Sequence, residues 1–238
     1  MSRRASDSCD SVELKADDGC GVRALPELYF ESLQSRAREF FKGARGSHDW
    51  DHTLRVLRLC EQIGPTEGAD PAVLRVAACL HDIGRGAQDE ARGAICHAER
   101  GARMAEELVE PLPLSIEQKT NIFHCIRSHR FRGEHPPRTI EARVLFDADK
   151  LDAIGAVGIA RAFQFAGEVG ARLHNPDIDV TKAAAYSEDD TGYREFMVKL
   201  RRVRDRILTA EGRRLAEARH RFMEQFFEQF ISEFEGKR

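Results

Sequence analysis

A histidine and an aspartate stand side by side at the end of an apolar segment, at His81 and Asp82. The four residues before them, 77–80, are apolar, and Gly84 follows shortly after. The pair offers one neutral nitrogen and one anionic oxygen, two donor types that divalent transition metals accept in proteins. Taken alone, the pair is equally compatible with capping of a helix end.

Two further residues extend this pair into a candidate ligand set. His52 lies upstream and Asp149 lies downstream, so each would approach the pair from another helix. Two nitrogen and two oxygen ligands suit Mn²⁺, Fe²⁺, Co²⁺ or Zn²⁺ better than Ca²⁺, which prefers all-oxygen shells. A single histidine of this kind is more often a buried core or capping residue, so the metal hypothesis depends on the whole set.

The composition favours a soluble globular protein rich in surface helices. The 238 residues are 42% hydrophobic and 32% charged, and 37 basic against 40 acidic side chains leave a net charge of −3. This balance gives no general attraction to nucleic acid or anionic membrane, and no stretch reaches the ~20 apolar residues of a membrane span. The six cysteines form no C-x-x-C pair. We therefore expect reduced thiols and a cytoplasmic location.

The residue pattern predicts an all-α chain. No segment alternates with period two, whereas apolar residues recur with helical spacing. Residues 1–24 are polar and predict a flexible leader, and residues 25–238 predict a single helical domain. Within that domain we place the core motif at about 48–153 and the C-terminal helices at 191–235.

Start and stop signals define the individual helices. The predicted helices span roughly 26–42, 50–63, 71–84, 97–109 and 115–129, with further helical periodicity from 139 and a last helix from 209. Gly64 and Pro65 predict the end of the second helix, while 85–93 and 167–190 have the polarity of loops. A phenylalanine stripe on the last helix predicts either core packing or an oligomer interface, hence a monomer or a homodimer.

An ordered series of motifs resembles the HD-domain metal-dependent phosphohydrolase superfamily. The resemblance rests mainly on three segments: HTLRV at 52–56, HDIG at 81–84 and DADKLDAIGA at 147–156. It extends over nearly all of residues 26–236 and is closest to small bacterial HD-domain proteins with nucleotide pyrophosphohydrolase activity. The resemblance implies an all-α HD-domain helical fold with a metal site at the centre of the bundle.

The resemblance also implies a ligand set for one divalent ion. This set is the quartet His52, His81, Asp82 and Asp149, with Mn²⁺ expected first and Mg²⁺, Co²⁺, Ni²⁺, Fe²⁺ or Zn²⁺ as alternatives. His48 competes with His52, and we favour His52 because it directly precedes the x-x-Arg-Val step. Asp147 competes with Asp149 in the same way, and there the following Lys-Leu step decides.

A bound divalent ion would lower the pKa of a water molecule, to ~7 in favourable zinc sites, and would offset phosphate charge. We expect catalytic roles for Asp82, Asp152 and His97. Cationic or hydrogen-bonding groups must hold the phosphates, and the candidates are Arg85, His97, His124, His129, Lys150, Arg161 and Lys199. Arg85 stands where some HD nucleotidases use a glutamate, and Glu195 replaces a family histidine, so neither family role transfers.

The sequence thus predicts a metal-dependent hydrolase of phosphoester or phosphoanhydride bonds, with a nucleotide as its partner and no stable nucleic-acid complex. Two alternatives remain open at this point. A di-iron oxygenase on the same fold would need additional ligands, which His97, His124 and His129 could supply. A non-catalytic module would bind a nucleotide at an idle site.

Overall fold

The computed structural model describes residues 25–42, 49–91, 94–130 and 135–238. The predicted leader at 1–24 and the candidate ligand His48 lie outside these residues. Among the residues described, all regular secondary structure is helical, which confirms the all-α prediction. In the same residues, no helix combines the length and apolarity that a bilayer span requires.

The helices follow the predicted order along the chain. They are α1 Glu27–Glu39, α2 Trp50–Glu67, α3 Pro71–Leu80, α4 Arg85–Glu90, α5 His97–Val109, α6 Ile116–Ser128, α7 Ile140–Asp152, α8 Gly155–Glu168, α9 Gly192–Val198 and α10 Ala210–Phe234. The segment between α8 and α9 is irregular, as its polarity predicts. Helix α4 occupies a stretch that its polarity had assigned to a loop.

Helix α3 lies at the centre of the bundle. Eight of its ten residues are buried, and a helix that is apolar on every side belongs inside a protein. It contacts α1, α2, α5, α6 and α7. Helix α7 in turn contacts α2, α6, α8 and α10. The polar ends of α3 and α7 therefore lie inside the molecule rather than at its surface.

Side-chain caps fix where the central helices begin. The Asp70 carboxylate accepts hydrogen bonds from the backbone N–H groups of Ala72 and Val73, and a proline follows it at the first helical position. Ser115 and Gln118 form the predicted capping box at the start of α6. These caps satisfy N–H groups that a helix leaves without an internal partner.

The predicted end of α2 at Gly64–Pro65 is wrong. The helix continues through Pro65 to Glu67 and ends at Gly68, whose φ of 70° is left-handed. Proline removes a single backbone hydrogen bond here, in the last turn. Gly64 serves packing instead, because a Cβ atom at this residue would lie 2.5 Å from Cδ1 of Leu74 on α3. Close contact between the two helices outweighs the local breaking signal.

Part of the phenylalanine stripe of α10 packs within the chain, while Phe222 and Phe234 are 45% and 44% exposed. Phe227 is buried and stacks on Phe196 of α9, with ring centroids 4.6 Å apart. Phe226 and Phe230 contact Phe163 of α8. The stripe thus attaches the C-terminal helices to α8, and through α8 to α7.

Candidate metal centre

Four histidine rings meet in the interior of the bundle. His52, His81, His97 and His129 come from α2, the end of α3, the start of α5 and the end of α6, and each is at most 3% exposed. Nε2 of His52 lies 3.3 Å from Nε2 of His81, and Nε2 of His97 lies 3.2 Å from Nε2 of His129. The rings therefore point the same nitrogen toward a common centre.

Helix ends orient two of these rings. Nδ1 of His81 donates to the carbonyl of Ala78 at 2.8 Å, and Nδ1 of His129 donates to the carbonyl of Ile126 at 2.7 Å. Each acceptor lies three residues earlier, among the carbonyls that a helix leaves without an internal partner. With the proton held on Nδ1, Nε2 of a neutral ring carries a lone pair.

Side chains orient the other two rings in the same way. Nδ1 of His52 lies 2.8 Å from Oδ2 of Asp152, and Nδ1 of His97 lies 2.7 Å from Oε1 of Gln88. The Gln88 oxygen also accepts the backbone N–H of His97, which fixes the ring at the start of α5. All four Nδ1 atoms are thus occupied, and the four Nε2 atoms remain for the centre.

Asp149 completes a first ligand group with His52 and His81. Its Oδ1 atom lies 3.3 Å from Nε2 of His52, and the donor atoms of the three residues all lie within 4.8 Å of one another. The neighbouring Asp82 places Oδ2 at 3.8 Å from Nε2 of both histidines. The quartet that the sequence indicated is therefore assembled at one place.

Asp82 also belongs to a second ligand group, with His97 and His129. Its other oxygen, Oδ1, lies 3.3 Å from Nε2 of His97 and 3.5 Å from Nε2 of His129. These donor atoms, too, lie within 4.8 Å of one another. One carboxylate thus faces both groups, with one oxygen toward each.

This arrangement of donors requires positive charge between them. Lone pairs of neutral imidazoles face each other and face carboxylate oxygens, and acceptors this close repel unless a cation or a proton lies between them. Burial opposes the charged form of His52, but hydrogen bonds to Asp149 and Asp152 outweigh it and raise its pKa to about 9. A proton on His52 thus stands where a metal ion would fit. The nitrogen and oxygen donors present fit a divalent ion.

His81 and His97 are held in the neutral form that a metal ligand needs. Burial, only partly offset by Asp82, lowers the pKa of His81 to about 4 and that of His97 to about 2. Burial also opposes ionisation of Asp149, yet Lys150 and His52 hold the pKa of its carboxyl well below the usual value. Neutral nitrogens and an ionised carboxylate are therefore the resting forms of these three residues.

Glycine at position 84 brings the second ligand group together. A Cβ atom on Gly84 would lie 2.3 Å from the carbonyl oxygen of His97 and 2.6 Å from the backbone nitrogen of Gly101. The turn that follows Asp82 therefore touches the backbone of α5 directly. This contact sets the short distance between Asp82 and His97.

The two aspartates of α7 have different surroundings. Asp149 lies beside His52, as described above. Asp147 instead accepts hydrogen bonds from the backbone N–H groups of Leu208 and Thr209, at 2.9 and 2.7 Å, and from the Thr209 hydroxyl at 2.7 Å. The structure thus places Asp149, and not its competitor Asp147, among the candidate ligands.

Two cationic candidates lie at the edge of the centre. Nη2 of Arg85 is 3.4 Å from both oxygens of Asp82. Nζ of Lys150 is 2.5 Å from Oδ2 of Asp149 and 3.3 Å from the carbonyl of His129. Both positive charges therefore lie beside the carboxylates of the centre.

The remaining candidates lie elsewhere. Asp152 is behind His52, where Nη1 of Arg161 reaches it at 2.6 Å. Nε2 of His124 accepts the backbone N–H of Arg138, and His124 belongs to neither ligand group. The structure joins Lys199 to Glu195 in an ion pair on α9.

Two residues at the centre received no functional role from the sequence. Gln88, which orients His97, lies in the stretch that was taken for a polar loop. Arg55 binds Asp152 behind His52. Its position three residues after His52 on a helix places the two side chains on one face, and that spacing is a signal that could have identified it.

The sequence comparisons agree with this arrangement. Residues 49–154 match the model of the HD domain family. Over 211 residues the chain is 35% identical to the uncharacterized protein YpgQ of Bacillus subtilis strain 168. The aligned region covers 87% of this chain and 94% of YpgQ. Ribonuclease Y of Thermoanaerobacter pseudethanolicus is 27% identical over 154 residues, but only 28% of that enzyme is matched.

Solved structures have the same fold. The crystal structure of B. subtilis YpgQ in complex with ADP matches with a TM-score of 0.66 and 30% identity, over 87% of this chain and 95% of that one. An HD-superfamily hydrolase from Bacillus thuringiensis matches with a TM-score of 0.69 and 28% identity, over 88% and 98% of the two chains. YpgQ is thus among the relatives found by sequence and among those found by structure.

Proposed function

This chain belongs to the HD domain superfamily, and from that membership we propose that it is a metal-dependent hydrolase of phosphoester or phosphoanhydride bonds in nucleotides. The observation that carries the proposal is the convergence of four buried Nε2 atoms on the carboxylates of Asp82 and Asp149. The nucleotide part is supported by the relative YpgQ, which was crystallised with ADP.

His52, His81, Asp82 and Asp149 would hold one divalent ion, with Mn²⁺ as our first choice. When bound, such an ion supplies Lewis acidity, lowers the pKa of a water molecule and offsets phosphate charge. Because the helix-end hydrogen bond of His81 and the Asp152 contact of His52 hold the rings in place, little reorganisation is needed on binding.

The side chains around the ligands would bind and orient the substrate. The guanidinium of Arg85 and the ammonium of Lys150 lie beside Asp82 and Asp149 and can pair with phosphate oxygens. Nε2 of His97 is unprotonated and can accept a hydrogen bond from an attacking water. His129 offers the same atom on the opposite side of Asp82.

The test is a release assay for phosphate and pyrophosphate over nucleoside mono-, di- and triphosphates, with Mn²⁺, Mg²⁺, Co²⁺ and Ni²⁺ supplied separately. We expect metal-dependent release from at least one class and loss of release in the Asp82→Ala variant. Substrate and product together identify the bond that is cleaved. Phosphate from a monophosphate indicates the monoester, phosphate from a triphosphate indicates the terminal anhydride, and pyrophosphate from a triphosphate indicates the internal anhydride. Release that is independent of added metal, and is undiminished in Asp82→Ala, would contradict the proposal.

The second ligand group favours one other function, that of a di-iron oxygenase. His97 and His129, two of the three histidines that could supply additional ligands, group with Asp82, which also faces His52 and His81. Two tightly bound irons and substrate-dependent oxygen uptake would support this function. One bound ion with phosphate release would support the hydrolase. Nucleotide binding without turnover on any metal would instead indicate a non-catalytic module.

A further inference from the structure

A single buried carboxylate behind the metal centre binds three basic side chains. Oδ2 of Asp152 lies 2.8 Å from Nδ1 of His52 and 2.6 Å from Nη1 of Arg161. Arg55 binds both oxygens of the same carboxylate, with Nε 2.6 Å from Oδ1 and Nη2 3.1 Å from Oδ2. Asp152 is 1% exposed, so these contacts are shielded from solvent.

We propose, on the basis of the function proposed above, that Asp152, Arg55 and Arg161 form a positioning unit for His52. Asp152 holds the proton of the ring on Nδ1 and sets the direction of Nε2. Arg55, through two parallel hydrogen bonds, fixes the plane of the Asp152 carboxylate. Arg161 fixes it from a third helix. The two arginines therefore act on metal binding through Asp152.

The local fold explains why Arg161 reaches this carboxylate. Helix α8 begins three residues after α7 ends, and Gly158 lies so close to the connection that a Cβ atom there would be 2.2 Å from the carbonyl oxygen of Ala153. This tight turn brings the second turn of α8 back over the end of α7. Nη1 of Arg161 contacts both the carbonyl and the carboxylate of Asp152.

Helix α10 reinforces the same end of α7. Nη1 of Arg219 donates to the carbonyl of Leu151, which is one of the carbonyls at the C-terminal end of the helix. Cationic donors at this end also interact favourably with the helix dipole. The last turn of α7, which carries Asp149 and Asp152, is thus held from both α8 and α10.

The positioning unit differs in a measurable way from direct substrate binding. If Arg55 and Arg161 bound the phosphates of the substrate, their loss would raise KM and leave the affinity for the metal alone unchanged. If they act through Asp152, their loss weakens metal binding in the absence of any nucleotide. Loss of an outer hydrogen-bond partner typically costs ~10–100-fold in metal affinity.

The experiment uses the full chain, stripped of metal and titrated with Mn²⁺ or Co²⁺ alone. We expect Arg55→Gln and Arg161→Gln to bind both ions about 10–100-fold more weakly than the wild type, with a changed visible absorption spectrum of the Co²⁺ form. Arg55→Lys, which keeps the charge but not the two parallel hydrogen bonds, is expected to lie between wild type and Arg55→Gln.

Arg194→Gln is the matched control. Arg194 is a similarly shielded arginine on α9, and its Nη1 lies 2.7 Å from Oδ1 of Asp190. Its loss is expected to leave metal affinity and the Co²⁺ spectrum unchanged. Thermal unfolding of every metal-free variant reports whether it is folded. If Arg55→Gln is unfolded, Arg55→Lys still tests the role of Arg55.

Two outcomes would overturn the proposed positioning unit, and they differ in whether the hydrolase proposal fails as well. If the wild type binds ions and the Arg55 and Arg161 variants bind them equally well, the positioning role is wrong and the hydrolase proposal stands. If the wild type binds neither ion, both proposals fail.

Discussion

The two ligand groups share Asp82 but have different surroundings. The first group has a carboxylate of its own, Asp149, and Oδ2 of Asp82 lies 3.8 Å from Nε2 of both its histidines. Behind it lies an ionic network, in which Asp152 is bound by arginines from α2 and α8. The density of anionic oxygen suits this group to a strongly bound divalent cation.

The second group has only the shared carboxylate. Its histidines are oriented by neutral partners, the Gln88 side chain and the Ile126 carbonyl, and Arg85 lies at its edge. A cation lies beside each group, Arg85 here and Lys150 at the first, so it is the smaller number of carboxylates that makes the second group the weaker place for a metal ion. The same features suit it to a second, weakly held ion or to an oxygen of the substrate. Two sets of similar residues thus acquire different chemistry from their neighbours.

The largest effect is expected where the groups meet. Asp82→Ala removes an oxygen from each group, so metal-dependent turnover is expected to fall by more than about 100-fold, beyond the range for outer partners. The variant is expected to remain folded, because the change removes a buried charge without adding bulk. Circular dichroism checks the fold and the release assay checks turnover. Turnover close to that of the wild type would show that neither group depends on the shared carboxylate.

The next effect concerns Co²⁺ affinity, and it distinguishes the two ligand groups from each other. His52→Ala is expected to abolish tight Co²⁺ binding, since it removes a ligand of the first group. His97→Ala is expected to keep one ion within about tenfold of the wild-type affinity and to lose only a second, weaker one. Co²⁺ titration gives both affinity and stoichiometry. Equal losses in the two variants would mean that the groups bind as one unit.

The contact between Gly84 and α5 provides a test through stability. Gly84→Ala forces a Cβ atom against backbone, and we expect it to reduce the free energy of unfolding by at least about 1–3 kcal/mol, the usual cost of overpacking. Because the clash displaces α5, the second ligand group is expected to lose more metal affinity than the first.

Gly86→Ala is the control for this substitution, since a Cβ atom at Gly86 would meet nothing within 4 Å. It is expected to leave stability unchanged or to raise it by up to about 1 kcal/mol, because alanine favours a helix over glycine. Urea unfolding of the metal-free proteins measures both variants. If both glycine variants unfold alike, the close contact does not hold α5 in place.

The smallest effects concern substrate binding. Arg85→Gln is expected to raise KM about tenfold, which corresponds to one charge-assisted hydrogen bond of about 1.5 kcal/mol. Lys199→Ala is expected to change KM less than about twofold, because Lys199 is exposed and its pair with Glu195 contributes little. Steady-state kinetics on the best nucleotide compares the two. An equal rise in KM for Lys199→Ala would place α9 in the substrate pocket.

The sequence predicted the helices well where local signals decide them. The caps at Asp70, Ser115 and Thr209 lie where their side-chain types indicate. The error at Pro65 arose because packing of Gly64 against Leu74 overrides the local breaking signal, and a single sequence does not reveal which helices touch.

The candidate site was predictable in part. His81 and Asp82 stand together in the chain, and the motif order indicated His52 and Asp149. The partition into two groups was not accessible, because it depends on a long-range backbone contact at Gly84. The positions of Gln88 and Arg55 behind the ligands depend on the same kind of tertiary geometry.

Asp147 connects helix α7 to the residues that lead into α10. Burial raises the pKa of its carboxyl, which the hydrogen bonds from Thr209 and Leu208 oppose. Removing α10 together with its N-cap residue Thr209 would take two hydrogen bonds from that carboxylate, and it would also remove Arg219 from the end of α7. The C-terminal helix and the helix that carries Asp149 therefore belong to one cooperative unit, and their backbone amides should exchange with solvent deuterium together. Trimming the C-terminal helix would disturb the ligands at the opposite face of α7.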